Sequence, residues 1–277
     1  MHLAYTVAAG WERKPARRRT GFSYPTRMSG PDRSDSRDPW EVHAAWWQDG
    51  FTDGADPEYE EQILPLAREH LAGSRRVLEV GTGEGQVART ASALGLELVV
   101  GLDPSRAQAN EAARRGGGPV YLRGAAATLP FRSSSFDAVV ACLVFEHIEA
   151  VDEAIAEVAR VLEPGGRFLF FLNHPLLQTP GSGWIDDHIL EEQYWRVGAY
   201  LHEDLAPEEV APGVILPFVH RPLSRYVNAM AEQGMLIERM EEPAPPPGFL
   251  ARAPEYPDAA GIPRLLFLRA QKTIPAS

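Results

Sequence analysis

The sequence predicts a doubly wound α/β fold, in which a mostly parallel sheet of seven strands carries helices on both faces and ends in an antiparallel hairpin. Three observations predict it. Short apolar runs alternate with helix-period segments between residues 77 and 172, the pattern of successive βαβ units. A glycine-rich turn, Gly81-Thr82-Gly83-Glu84-Gly85, joins the first run to the first helix, and its missing Cβ atoms permit positive φ and close approach of a ligand to the backbone. Two further strand-like runs, 235–240 and 264–270, have only a loop between them, which makes them antiparallel neighbours.

The elements follow in order. Residues 1–38 read as a basic, disordered arm, and residues 39–277 as one domain. Within the arm, 1–27 carries Arg13, Lys14, Arg17, Arg18, Arg19 and Arg27 against Glu12 and shows little periodicity, while Met28 opens a stretch that reads as an alternative start. Asp56-Pro57-Glu58-Tyr59 is a helix start with Asp56 capping and Pro57 at the first position; Tyr59 and Ile63 face the sheet, and Pro65 is expected to break or kink the element. Strands are expected at 77–80, 96–102, 119–122, 136–142 and 167–172. Helices are expected at 86–94, 151–162 and 223–233, the last ended by Gly234. Two long connections, 173–220 and 241–263, leave the carboxyl edge, where open α/β sheets bind ligands. They are expected to form a cap. All six tryptophans lie outside the 77–171 core, so an aromatic cap over a substrate pocket competes with aromatics that only anchor loops.

Composition narrows the function classes. The chain has 277 residues, 44% hydrophobic, and a formal charge of −11, enough to bury one large core. With the arm basic, the acidic excess falls on the body, which disfavours a nucleic-acid partner because phosphate would be repelled. No apolar run approaches the roughly 20 residues needed to span a bilayer, and a cytoplasmic protein is expected. The lone Cys142 lies in the fourth strand and reads as a buried thiol rather than a nucleophile. Oligomeric state is not legible.

The turn points to a nucleoside ligand. A dinucleotide fingerprint needs a third glycine where Gln86 stands, and the turn lacks the Lys and Ser/Thr of a P-loop. Asp103 ends the second strand, placed to accept hydrogen bonds from ribose hydroxyls. Glu79 ends the first, placed to attract an amino group. Two carboxylates without a phosphate-binding cation suit a ligand with ribose and positive charge.

With these residues, the chain resembles the class I S-adenosylmethionine-dependent methyltransferases. The blocks that carry the resemblance are V-L-E-V-G-T-G-E-G (77–85), G-L-D-P-S (101–105), A-T-L-P-F-R-S-S-S-F-D-A-V-V (127–140), F-E-H-I (145–148) and A-R-V-L-E-P-G-G-R-F-L-F (159–170). The resemblance implies a Rossmann-like methyltransferase fold with S-adenosylmethionine as cofactor. It implies that Glu79, Gly81, Thr82, Gly83 and Gly85 surround the methionine end and that Asp103 holds the ribose. It also implies Pro104 and Ser105 near the adenine, Ala126 and Ala127 opposite, Leu143 beneath, and Tyr59 as a contact from the covering helix. One departure stands out: family members often carry an Asp where this chain has Ala125 or Ala126, leaving the adenine amino group to backbone or water.

The implied activity is methyl transfer to a small-molecule acceptor at oxygen or nitrogen. The catalytic candidates are His174, preferred for its place after the fifth strand, and His147 after the fourth; Glu146, His220 and Asn173 carry structural alternatives. No metal ligand set is legible, since Asp186-Asp187-His188 stands isolated. The (N/D)-P-P-(Y/F) block of nucleic-acid amino methyltransferases is missing. Two alternatives stay open: a nicotinamide-dependent oxidoreductase, and a non-catalytic cofactor-binding regulator.

Overall fold

The computed structural model describes residues 38–252, 254 and 257–274. The expectations for the basic arm and the alternative start fall, apart from Asp38, outside the described residues.

Helices α1 (Pro39–Val42) and α2 (Ala44–Phe51) lead to a wide helical turn, Tyr59–Ile63, that runs into α3 (Leu64–Leu71). Asp56 caps this element as expected, its Oδ1 accepting from the Glu58 N–H at 2.9 Å. Pro65 does not break it. Having no N–H, Pro65 needs no partner one turn back, and the widened turn before it relieves the ring's clash with that carbonyl. Strand β1 (Arg76–Val80), α4 (Gln86–Ser92), β2 (Leu98–Asp103), α5 (Arg106–Arg115), β3 (Val120–Arg123), β4 (Phe136–Cys142), α6 (Val151–Val161) and β5 (Leu162–Asn173) then alternate. After the cap come α8 (Leu223–Glu232), β10 (Met235–Glu241) and β11 (Leu265–Lys272).

The seven-stranded sheet has the order β10-β11-β5-β4-β1-β2-β3. Strands β1 to β5 are parallel, and β11 lies antiparallel between β5 and β10. This closure differs from the all-parallel 3-2-1-4-5-6 order of dinucleotide-binding sheets. Alternate side chains of the central strands enter two cores. Leu78, Val80, Val139, Phe168 and Phe170 pack toward α6 and α8; Val77, Val140, Cys142, Leu169 and Phe171 pack toward α3 and α4. Strands covered on both faces read as continuous apolar runs, which is why they are visible in the sequence.

The 173–220 connection is more regular than expected. After α7 (Pro175–Gln178) it folds into two antiparallel hairpins, β6 (Gly183–Asp187) with β7 (Glu192–Arg196) and β8 (Asp204–Ala211) with β9 (Val214–His220). Pro212-Gly213 turns the second, with Gly213 at φ +76°, the proline-then-glycine arrangement of a type II turn. That hairpin buries Val210, Val214, Leu216 and Phe218 against Trp40 and Trp46. The 241–263 connection, with α9 (Pro247–Leu250), packs instead on the N-terminal segment. Arg264 pairs with Glu58 at 3.0 Å and lies 4.0 Å over the Phe249 ring.

Candidate active site

The carboxyl ends of β1, β2 and β4 open into a cleft of about 240 Å³. Its floor is the glycine turn. Gly81, Gly83 and Gly85 have φ of +70°, +55° and +90°, a left-handed run that L side chains adopt only with strain. Two positions are closely packed: a Cβ at Gly81 would run into Val144, and one at Gly85 into the hydroxyl and ring of Tyr121 on the edge strand. Gly85→Ala is therefore expected to cost about 2–4 kcal/mol from αL strain and overpacking. That corresponds to a thermal midpoint lower by roughly 4–8 °C for a chain of this size, measured by calorimetry; an unchanged midpoint would contradict the close packing.

Two buried carboxylates frame the turn. Glu79, 2% exposed, accepts from the Thr82 hydroxyl at 2.5 Å and the Ala88 N–H at 2.8 Å, both on Oε2. Asp103 accepts from the Gly83 N–H on Oδ2 and the Ser105 N–H on Oδ1, each at 2.8 Å. Each Asp103 oxygen keeps a further lone-pair site. A third acid, Glu84, is neutralised by Arg89 at 2.6 Å and Arg115 at 3.0 Å. On the N-terminal side, Glu41 of α1 accepts from the Ser105 hydroxyl at 2.7 Å, which docks the aromatic helices beside Asp103.

The roof is aromatic. Trp47 stacks on Phe51 at 4.4 Å and meets Trp40 and Tyr59 edge-on; Trp40, Trp47 and Tyr59 line the cleft. Tyr59 is 6% exposed, with its hydroxyl 3.7 Å from the Cys142 thiol. At the end of β4, Leu143 takes φ +54°, an uncommon conformation for a large side chain and one that clusters at functional sites. A 3₁₀ turn, Phe145–His147, follows and turns His147 into the cleft. Its Nδ1 lies 2.8 Å from the Pro217 carbonyl oxygen of β9, and its ring sits edge-on between Trp40 and Phe218.

The two catalytic candidates separate. His147 lines the cleft. His174 lies outside it, with both ring nitrogens engaged: Nδ1 accepts from the Leu176 N–H at 3.1 Å, capping α7, and Nε2 faces Glu242 at 2.8 Å. His174, expected as the first catalytic candidate, is instead a helix cap away from the cleft, and the proline after it marks the start of α7. Glu79, Gly81, Thr82, Gly83, Asp103, Pro104, Leu143 and Tyr59 line the cleft, and Gly85 supports the turn from behind. Ala126 and Ala127 do not line it, and Ala126 packs into the core with Leu129. Trp184 and Trp195, expected in the cap, pair on the first hairpin and line a separate small cavity with Arg264. Sequence reasoning missed Gln108, Gln86 and Pro217. Gln108 was detectable as a polar residue on the inward face of α5 beside Ala109 and Ala112, one turn past Asp103.

Burial sets the protonation states. It pushes Glu79 up to about 8 and Asp103 up to about 6, and raises Glu146 and Glu208 to about 7. It lowers His147 to about 4. An acid whose folded pKa is raised holds its proton longer folded than unfolded, so stability is lost as pH climbs from the unfolded value near 4 to the folded one. A lowered His acts oppositely, adding stability as pH rises from about 4 to about 6.5. The four raised acids outweigh the one lowered histidine, so the thermal midpoint of the ligand-free chain is expected to fall as pH rises from about 5 to about 8; a steady rise across that window would contradict these assignments.

This geometry matches known proteins. Residues 78–170 fit the model of a methyltransferase domain. The chain carries a class I S-adenosylmethionine-dependent methyltransferase domain. The domain is 32% identical over 167 residues to an uncharacterized methyltransferase of Mycobacterium sp. strain JLS, covering 60% of this chain and 62% of that one. It is 36% identical over 122 residues to the demethylmenaquinone methyltransferase of Thermus thermophilus, covering 42% and 54%. Among solved structures, the S-adenosylmethionine-dependent methyltransferase of Mesorhizobium loti superposes with a TM-score of 0.65 at 28% identity, covering 79% of this chain and 99% of that one. The chain thus spans about three fifths of the length of the mycobacterial relative. Among the described residues, no helix is long and apolar enough to cross a membrane.

Proposed function

We propose that this protein transfers a methyl group from S-adenosylmethionine to a small-molecule acceptor at oxygen or nitrogen. The observation that carries this reading is that one cleft holds both the glycine turn with Asp103 and, across it, the imidazole of His147. The residues present fit the cofactor. The spare lone pairs of Asp103 suit a ribose diol, and the missing Cβ of Gly83, where the nearest side-chain atom would lie 3.7 Å away, lets a ligand approach the backbone. Buried Glu79 suits an amino group. Bound there, the cofactor supplies an electrophilic methyl on a sulfonium.

The chain's own residues do the rest. Asp103 and the turn fix the nucleoside, Leu143 and Tyr59 bound the cleft, and the Trp40–Trp47 roof excludes water. Methyl displacement depends chiefly on such positioning, with a base needed where the acceptor must lose a proton. His147 is placed for that role. The buried thiol of Cys142 agrees with a cytoplasmic setting, and the acidic body agrees with a metabolite rather than a nucleic-acid partner.

The nicotinamide alternative has less support, because Gln86 interrupts the dinucleotide fingerprint and β11 closes the sheet antiparallel. The test is incubation with methyl-labelled S-adenosylmethionine and a metabolite extract. Label in a small organic product is expected; binding of the cofactor with no label transferred to any fraction would favour the regulatory alternative.

A further inference from the structure

Resting on the methyl-transfer reading, we propose that the acceptor is a neutral hydroxyl group on an apolar, aromatic-sized skeleton, held through its O–H by Nε2 of His147. The inference starts from the tautomer. The Pro217 carbonyl oxygen 2.8 Å from Nδ1 can only accept, so Nδ1 carries the hydrogen and Nε2 presents a lone pair. Nε2 has no protein partner among the described residues, and the ring cannot turn to offer Nδ1 instead. Trp40 packs at 4.7 Å on one side and Phe218 at 4.5 Å on the other. Burial keeps this imidazole neutral, lowering its pKa to about 4.

An acceptor lone pair in a fixed place selects a donor. The surrounding walls are Trp40, Val144, Ile148 and Pro217, and among the described residues no Lys or Arg lines the cleft. The lining acids have other partners: Glu79 bonds the turn, Asp103 the turn and, in this reading, the ribose, Glu84 two arginines, and Oδ1 of Asp38 the Trp40 N–H. A carboxylate acceptor would bring only lone pairs against Nε2 and would lose its hydration with no cation in return. An ammonium could donate, but it has no free electron pair with which to attack. A hydroxyl satisfies both demands, since it donates its hydrogen to Nε2 while an oxygen lone pair remains for attack. The step balances: an oxygen lone pair forms the new C–O bond, the sulfonium S–C bond breaks with its pair returning to sulfur, and the proton, made strongly acidic as the oxygen becomes an oxonium, passes to Nε2.

Three probes that share one ring system separate the classes: 2-naphthol, 2-naphthoate and 2-naphthylmethylamine. Binding to the protein saturated with S-adenosylhomocysteine is followed by calorimetry. Naphthol is expected to bind at least about tenfold tighter than either charged probe, the value of one hydrogen bond with desolvation. His147→Ala should reduce that preference to about threefold or less. With S-adenosylhomocysteine bound, equal affinities, preference for a charged probe, or no binding of any probe overturns the hydroxyl assignment alone. Failure of S-adenosylhomocysteine to bind overturns the methyl-transfer reading beneath it.

Discussion

Asp103→Ala is expected to weaken S-adenosylhomocysteine binding by about 10²–10⁴-fold. The carboxylate has two jobs in the cleft. Its present bonds to the Gly83 and Ser105 amides tie the glycine turn to the start of α5, and its remaining lone pairs are the cleft's natural partners for a ribose diol. Two hydrogen bonds to a charged group contribute about 1.5–3 kcal/mol each, which gives the stated range when both are lost. Asp103→Asn separates the jobs, since the amide keeps one acceptor oxygen and should retain part of the affinity. Calorimetry on the wild type and both variants checks the order; an Asp103→Ala protein that is folded and binds normally would remove Asp103 from the site.

His147→Ala should lower kcat by about 10²–10⁴-fold, the usual contribution of a positioned base, while changing S-adenosylhomocysteine affinity by no more than about threefold. The imidazole is held by β9 and two aromatic rings and makes no bond to the glycine turn, so its removal leaves the turn intact. His174→Ala provides the contrast. That ring caps α7 and faces Glu242, so its loss should cost about 1 kcal/mol of stability and leave kcat alone. Steady-state kinetics with melting curves distinguishes the two; an active His147→Ala enzyme would reduce His147 to a wall residue.

What the sequence made legible follows from burial on two faces. Strands β1, β4 and β5 are covered on both sides, so their apolar runs are continuous, and the turn after β1 announces itself through glycines that the backbone requires. Asp103 was legible because it ends such a run. The cap was not. Strand β8, D-L-A-P-E-E-V-A, carries three acids and a proline and buries only Val210, so it resembles a loop until paired with β9. His147 and His174 looked alike because each follows a strand at the carboxyl edge. What separates them is the carbonyl of Pro217, 70 residues beyond His147, and the carboxylate of Glu242, 68 beyond His174, contacts that no local pattern encodes. The adenine side has no local marker either: Ala126 carries no polar group, and its small side chain packs into the core beside Leu129.

The most direct test of the account is calorimetric titration of the wild-type protein with S-adenosylmethionine, S-adenosylhomocysteine and NAD under one set of conditions. One-to-one binding of the first two is expected, with NAD inert. Saturable binding of NAD without response to either sulfur nucleoside would contradict it.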